Sequence, residues 1–118
     1  MGDEQVLDLK EFLERVQDDK ELLLELLDIF VEDYKDKSRQ LDEAVQRNNY
    51  EQVRSVAHSL KGASGNISAK VMCQTFTKLE EMGKDSNLAG AGELLRALKG
   101  QFEDFTVRIN QIKEELES

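Results

Sequence analysis

The stretch "AGELLRALKGQFEDFTVRINQIKEEL", residues 91–116, decides the fold class. Within it Ala91, Leu94, Leu95, Leu98, Phe102, Phe105, Ile109, Ile112 and Leu116 recur every three or four residues. That is the period of an amphipathic α-helix with one apolar stripe. No segment of the chain alternates apolar and polar residues with period two, so no strand is predicted. The chain contains no proline, and the strongest helix breaker is therefore absent throughout.

Working back from that helix, "GKDSN" at 83–87 reads as a break. Gly90 and Gly92 lie in "LAGAGELL" at a helix start and follow no strand, so they make no dinucleotide or phosphate loop. Before the break, Ser68 is predicted to cap a helix in which Met72, Phe76 and Leu79 share a face. "RNNY" at 47–50 is a second break, and Asn49, with Gln52 three residues on, opens the helix after it. Asp18 followed by Glu21 has the spacing of a capping box. It introduces a long helix with Leu23, Leu27, Phe30, Tyr34, Leu41, Ala44 and Val45 near helical spacing. Asp8 caps a short first helix, "DLKEFLERVQ" (8–17), striped by Leu9, Phe12, Leu13 and Val16. Residues 1–7 are expected to be a frayed lead-in. Long amphipathic helices with short connections predict an all-α fold, an antiparallel up-down four-helix bundle with a short additional N-terminal helix as a lid.

The length of 118 residues argues for one domain. A chain of this size buries roughly two thirds of its unfolded surface and can hold a core without staples. The formal net charge of −9 opposes nucleic acid and anionic membrane as partners, since both require clustered Lys and Arg. Surplus acid is also an ordinary solubility device. Cys73 is the one cysteine and has no internal disulfide partner, which fits a reducing cytoplasm. "MGDEQVLDLK" has no apolar leader, and no run approaches the ~18 apolar residues of a membrane span. A cytoplasmic protein is expected.

The one histidine, His58, stands in "AHSLKGASGNIS" (57–68). Glycine in a helix interior costs about 1 kcal/mol against alanine, and two glycines follow the histidine at i+4 and i+7. With Leu60 at zero on a wheel of about 100° per residue, Val53, Val56, Ala57, Ala63, Ser64 and Ile67 fall within about 60° and form the core face. His58 lies at about 160°, with Gly62 and Gly65 beside it and Lys61 and Arg54 flanking it at about 100–120°. The imidazole therefore points outward, and the glycines clear the ground for another protein to approach. Lys61 at i+3 is near enough to neutralise charge on a group carried by the ring. A phosphoryl group is the natural candidate, because lysine serves phosphate as a compact point charge. Unprotonated histidine is a competent nucleophile near neutral pH. A lone exposed histidine is ordinarily of no consequence, and Gly65 could belong to a C-cap; Gly62, inside the helix, has no such explanation.

The stretch "AHSLKGASGNISA" resembles the signature of histidine-containing phosphotransfer (HPt) domains, and the resemblance extends over "ERVQDDKELLLELLDIFVEDY" and "KLEEMGKDSNLAGAGELL". These domains are helical bundles that relay phosphoryl groups between aspartates of response-regulator receiver domains. The resemblance implies that His58 is phosphorylated, that Lys61 steadies the phosphoryl group, and that Gly62 and Gly65 leave room for the receiver. It places Glu80 opposite the histidine on the next helix, where it could pair with Lys61 or orient the imidazole. Lys84, one turn on, would add positive charge, and Arg54, flanking His58 on the wheel, would belong to the receiver-docking or polar surround. Ser68 stands where the family usually has glycine, a departure expected to affect the turn. Implied partners are receiver domains and a hybrid sensor histidine kinase, with Mg²⁺ supplied by the receiver and the chain acting as a monomer.

Other chemistry is poorly supported. One histidine and one cysteine do not make a zinc site, and no calcium-loop pattern is present. Ser59 lies ~100° around the helix from His58 and is a poor partner for it. Cys73 reads as a packed thiol. No ATP-binding motif is present, so a phosphocarrier without kinase activity is expected. The alternative is a helical adaptor that binds receiver-like partners without phosphotransfer; a histidine-dependent enzyme ranks far behind for want of a second catalytic group.

Overall fold

The structure, a computed structural model, describes residues 2–117. Among these residues it is all-α. Six helices follow in order: α1 (Asp3–Val6), α2 (Leu9–Arg15), α3 (Lys20–Gln46), α4 (Tyr50–Asn66), α5 (Lys70–Lys84) and α6 (Ala91–Glu117). Packing closes a ring in which α3 lies on α4, α4 on α5, α5 on α6 and α6 on α3, with α1 against α5 and α6 and α2 against α3.

Each apolar stripe becomes core. Leu23, Leu27, Phe30, Tyr34, Leu41 and Ala44 of α3 are buried, as are Ala91, Leu98, Phe105, Ile109 and Ile112 of α6. Rings join the two helices: Tyr34 stacks on Phe102 with centroids 4.0 Å apart, and Phe30 meets Phe105 edge-on at 5.3 Å. A buried ring of this kind contributes about 1.5–3 kcal/mol. On α4, Val53, Val56, Ala57, Leu60 and Ser64 face inward. The Ser64 hydroxyl is satisfied by donating to the Leu60 carbonyl at 2.8 Å.

Caps explain the helix starts. Asp8 accepts from the Glu11 N–H at 3.1 Å and Asn49 from the Gln52 N–H at 3.1 Å, both as the sequence predicts. The cap expected at Asp18 falls one residue later, and the reciprocal bond of a box is replaced by one from the Asp19 N–H to the Val16 carbonyl at 3.1 Å. Gln17 and Asp18 take left-handed φ values of 55° and 63° to turn the chain, so Asp19 becomes the N-cap and accepts from Leu22 at 3.0 Å.

Ser68 does not cap α5. It sits at φ 60°, the left-handed conformation that glycine adopts without strain. The N-cap is Ala69, which makes no side-chain cap bond. Ser68 instead donates its hydroxyl to Glu11 Oε1 at 2.7 Å, while its carbonyl accepts from the Asp8 N–H at 3.0 Å. Lys70 adds ion pairs to Asp8 at 3.3 Å and Glu11 at 3.2 Å. The α4–α5 turn is thus tied to the start of α2.

The expected frayed lead-in is also corrected. Residues 3–6 form a helical turn, and Leu7 is fully buried in the core; burial of that side chain holds the segment down. Met1 lies outside the described residues. Gly83, read as the start of a break, lies inside α5 and is buried; the helix ends at Lys84.

Candidate functional site

Helix α4 turns its core face to the other helices and leaves His58 outside, with 65% of its side chain exposed. Helix α5 meets α4 with opposite contact order: Gly83 against Arg54, Glu80 against His58 and Lys61, Cys73 against Gly65. That register brings one carboxylate to two groups. Glu80 Oε2 lies 2.6 Å from His58 Nδ1, and Glu80 Oε1 accepts from Lys61 Nζ at 2.5 Å. The Glu80 side chain is only 12% exposed, whereas Lys61 is 33% exposed.

The Lys61 ammonium holds the Glu80 carboxyl below its usual range; burial opposes this, and the bond from His58 reinforces it. An ionised carboxylate only accepts hydrogen bonds. The shared ring proton therefore sits on Nδ1, and in the neutral ring the lone pair belongs to Nε2. Nε2 has no partner among the described residues. The arrangement is an exposed nucleophilic nitrogen, a fixed tautomer, and an ammonium one helical turn away.

The surface at the two glycines carries no crowding side chain. A Cβ at Gly62 would meet nothing within 4 Å, and one at Gly65 would come no closer than 3.8 Å to Cys73 Sγ. The Cys73 thiol is partly buried and donates to the Lys61 carbonyl at 3.5 Å.

Two predicted cations stand apart. Arg54 is drawn into a two-pronged pair with Glu51, its Nε 3.3 Å from Oε2, and does not bond to His58, Lys61 or Glu80. Lys84 is exposed one turn beyond Glu80 and forms no ion pair among the described residues. One cation escaped the sequence reading. Lys37 of α3 pairs with Asp33 at 3.2 Å and donates to the Ser59 hydroxyl at 2.5 Å, beside His58. Its i,i+4 spacing from Asp33 was visible, but nothing local placed α3 against Ser59.

Among the described residues no three His, Cys, Asp or Glu side chains converge to hold a metal ion. None of the described helices is long and apolar enough to cross a membrane.

Known proteins resemble the chain in family pattern and in fold. The model of the Hpt domain family matches residues 25–117. The chain is similar to the crystal structure of histidine-containing phosphotransfer protein B (HptB) from Pseudomonas aeruginosa PAO1. The TM-score is 0.85 at 26% identity, over 93% of this chain and 96% of that one. No curated protein sequence matches the chain.

Proposed function

The chain belongs to the Hpt domain family, and from that premise we propose that it carries phosphoryl groups between His58 and the aspartates of response-regulator receiver domains. The observation that carries this reading is the placement of Glu80. It binds His58 Nδ1 and Lys61 together and leaves Nε2 as the outward nucleophile.

In the proposed step the Nε2 lone pair attacks the phosphorus of a receiver aspartyl phosphate in line. The N–P bond forms as the P–O bond to the aspartate breaks, and the electron pair leaves with the carboxylate. The phosphorylated ring carries positive charge while Nδ1 keeps its proton, and Glu80 offsets that charge. Lys61 faces the added phosphoryl oxygens as a point charge. Positioning and charge neutralisation supply the catalysis. Mg²⁺ would come with the receiver. Gly62 and Gly65 leave the approach open; Lys84, one turn beyond Glu80, is the nearer free charge among the described residues for a docking partner, while Arg54 is paired with Glu51. Lys37 borders the face from α3.

On this reading the chain is a phosphocarrier and not a kinase, phosphorylated through a hybrid sensor histidine kinase and acting as a single cytoplasmic, monomeric unit. Short connections and the ring of helix contacts support an antiparallel up-down arrangement of α3–α6.

The test is incubation with a phosphorylated cognate receiver and Mg²⁺. Acid-labile label should move to the chain and should be absent from His58→Gln. Normal labelling of that variant would overturn the assignment. Receiver binding that survives the substitution, with an unlabelled parent, would point to the adaptor alternative.

A further inference from the structure

Gly83 is buried in the last turn of α5, against the backbone of α4. A Cβ there would stand 2.7 Å from the Arg54 amide nitrogen, 2.8 Å from the Tyr50 carbonyl oxygen and 3.0 Å from Arg54 Cα. These are main-chain atoms in the first turns of α4. Unlike the end of a flexible side chain, they cannot rotate away.

Local conformation does not explain this glycine. Gly90 has a φ of 86° and needs glycine's freedom, but Gly83 is outside the left-handed region. Alanine would be the better helix former at that position. What glycine provides here is close approach, since the separation of packed helices depends on the side chains at the contact.

That contact lies next to the phosphoryl site. Gly83 follows Glu80 by three residues and shares its face of α5. Arg54 precedes His58 by four and shares its side of α4. Glu80 reaches two groups of α4 at once, at 2.6 Å and 2.5 Å. A carboxylate held at two points has little freedom to follow α5 outward and keep both bonds. At the other end of the same helix pair, Gly65 makes only ordinary contact with Cys73 Sγ at 3.8 Å. Of these two glycines, only Gly83 admits the backbone of the facing helix.

We propose that Gly83 is a positioning residue for phosphotransfer. By admitting the α4 backbone, it keeps Glu80 within reach of both His58 Nδ1 and Lys61 Nζ, and so sets the tautomer that exposes Nε2. The inference rests on the proposed role of His58 as phosphoryl acceptor, but part of its test is independent of that role.

The experiment compares Gly83→Ala with the parent, Glu80→Ala, the double variant, and Gly100→Ala. The last is a control for helix propensity, because a Cβ at Gly100 meets nothing within 4 Å. His58 is the one histidine, so ¹⁵N spectra of the ring are unambiguous. At about pH 8.5 the parent and Gly100→Ala should show protonated Nδ1. Gly83→Ala should shift towards the Nε2–H form, as Glu80→Ala does. Transfer from a phosphorylated receiver should slow about tenfold, as expected for loss of a charge-assisted hydrogen bond. The double variant should be no slower than Glu80→Ala alone.

Where Gly83→Ala is unstable in buffer, trimethylamine N-oxide favours its compact state and permits the same comparison. A folded Gly83→Ala with the parent's tautomer and transfer rate overturns the proposal, as do rate losses that multiply in the double variant. A parent that no receiver labels defeats the phosphotransfer reading instead, and the tautomer spectra still decide whether Gly83 places Glu80.

Discussion

Replacing Gly62 by glutamine should move stability and partner binding in opposite directions. Gly62 lies inside α4 and is exposed, and a Cβ built on it meets nothing within 4 Å. The fold therefore accepts the side chain without strain, and glutamine is a far better helix former than glycine. The variant should gain about 0.5–1 kcal/mol, read as a higher urea midpoint at unchanged slope. The same side chain projects beside His58, whose position at i−4 puts the two Cβ sites about 5–6 Å apart. On the proposed function, a docked receiver closes over that ground. Fitting a long side chain into a closed contact costs about 1–3 kcal/mol, which is roughly a 5- to 150-fold weaker Kd. Titration calorimetry with the receiver measures that loss, and rapid-quench transfer should slow with it at receiver concentrations below Kd. Parent-like binding and transfer in a stabilised variant would refute the docking role of this glycine. Loss of both stability and binding would show that the glycine serves the fold.

Acid should loosen the molecule through identifiable carboxylates. Glu80 and Glu11 lie below an ordinary value of 4.5 in the folded state, Glu80 chiefly through Lys61 and Glu11 chiefly through the Ser68 hydroxyl. A folded-state pKa below the unfolded one gives stability that is full above about pH 4.5 and lost as pH falls through the folded value. Urea unfolding between pH 6 and pH 3 should show that fall, and Glu80→Gln should make it shallower. Ser68→Ala should destabilise by about 1–2 kcal/mol, because it loses the bond to Glu11 and keeps the left-handed strain. Ser68→Gly should stay within about 1 kcal/mol of the parent in the same assay, since relief of strain offsets the lost bond. Leu7→Ala should cost about 2–5 kcal/mol by thermal or urea unfolding, the range for emptying a buried leucine site; a frayed lead-in would give no change.

The candidate site residues divided along a physical line. His58, Lys61, Gly62 and Gly65 were legible because they share one helix, and a helix of known pitch orders its own side chains around its axis. Glu80 was identified only by resemblance, and its simultaneous reach to His58 and Lys61 depends on the register of α5 against α4. Lys37 was missed because its partner Ser59 lies on another helix, 22 positions along the chain. Gly83 was read as a break because glycine near a helix end usually marks one. Its backbone neighbours, Tyr50 and Arg54, are invisible to local pattern. The errors at Asp18 and Ser68 have a related origin. Left-handed turns place both residues outside the helices they were expected to cap, and neither is a glycine that would have announced the turn.

By itself, the sequence determined an all-α chain, the stripe each helix buries, and an outward imidazole beside a lysine on cleared ground. These follow from helical periodicity and hydrophobicity, which act over a few residues. Tertiary structure alone decided which nitrogen of that imidazole is exposed. The ring's tautomer answers to a carboxylate on a neighbouring helix, and the distance between two helices is set by contacts far apart in the chain.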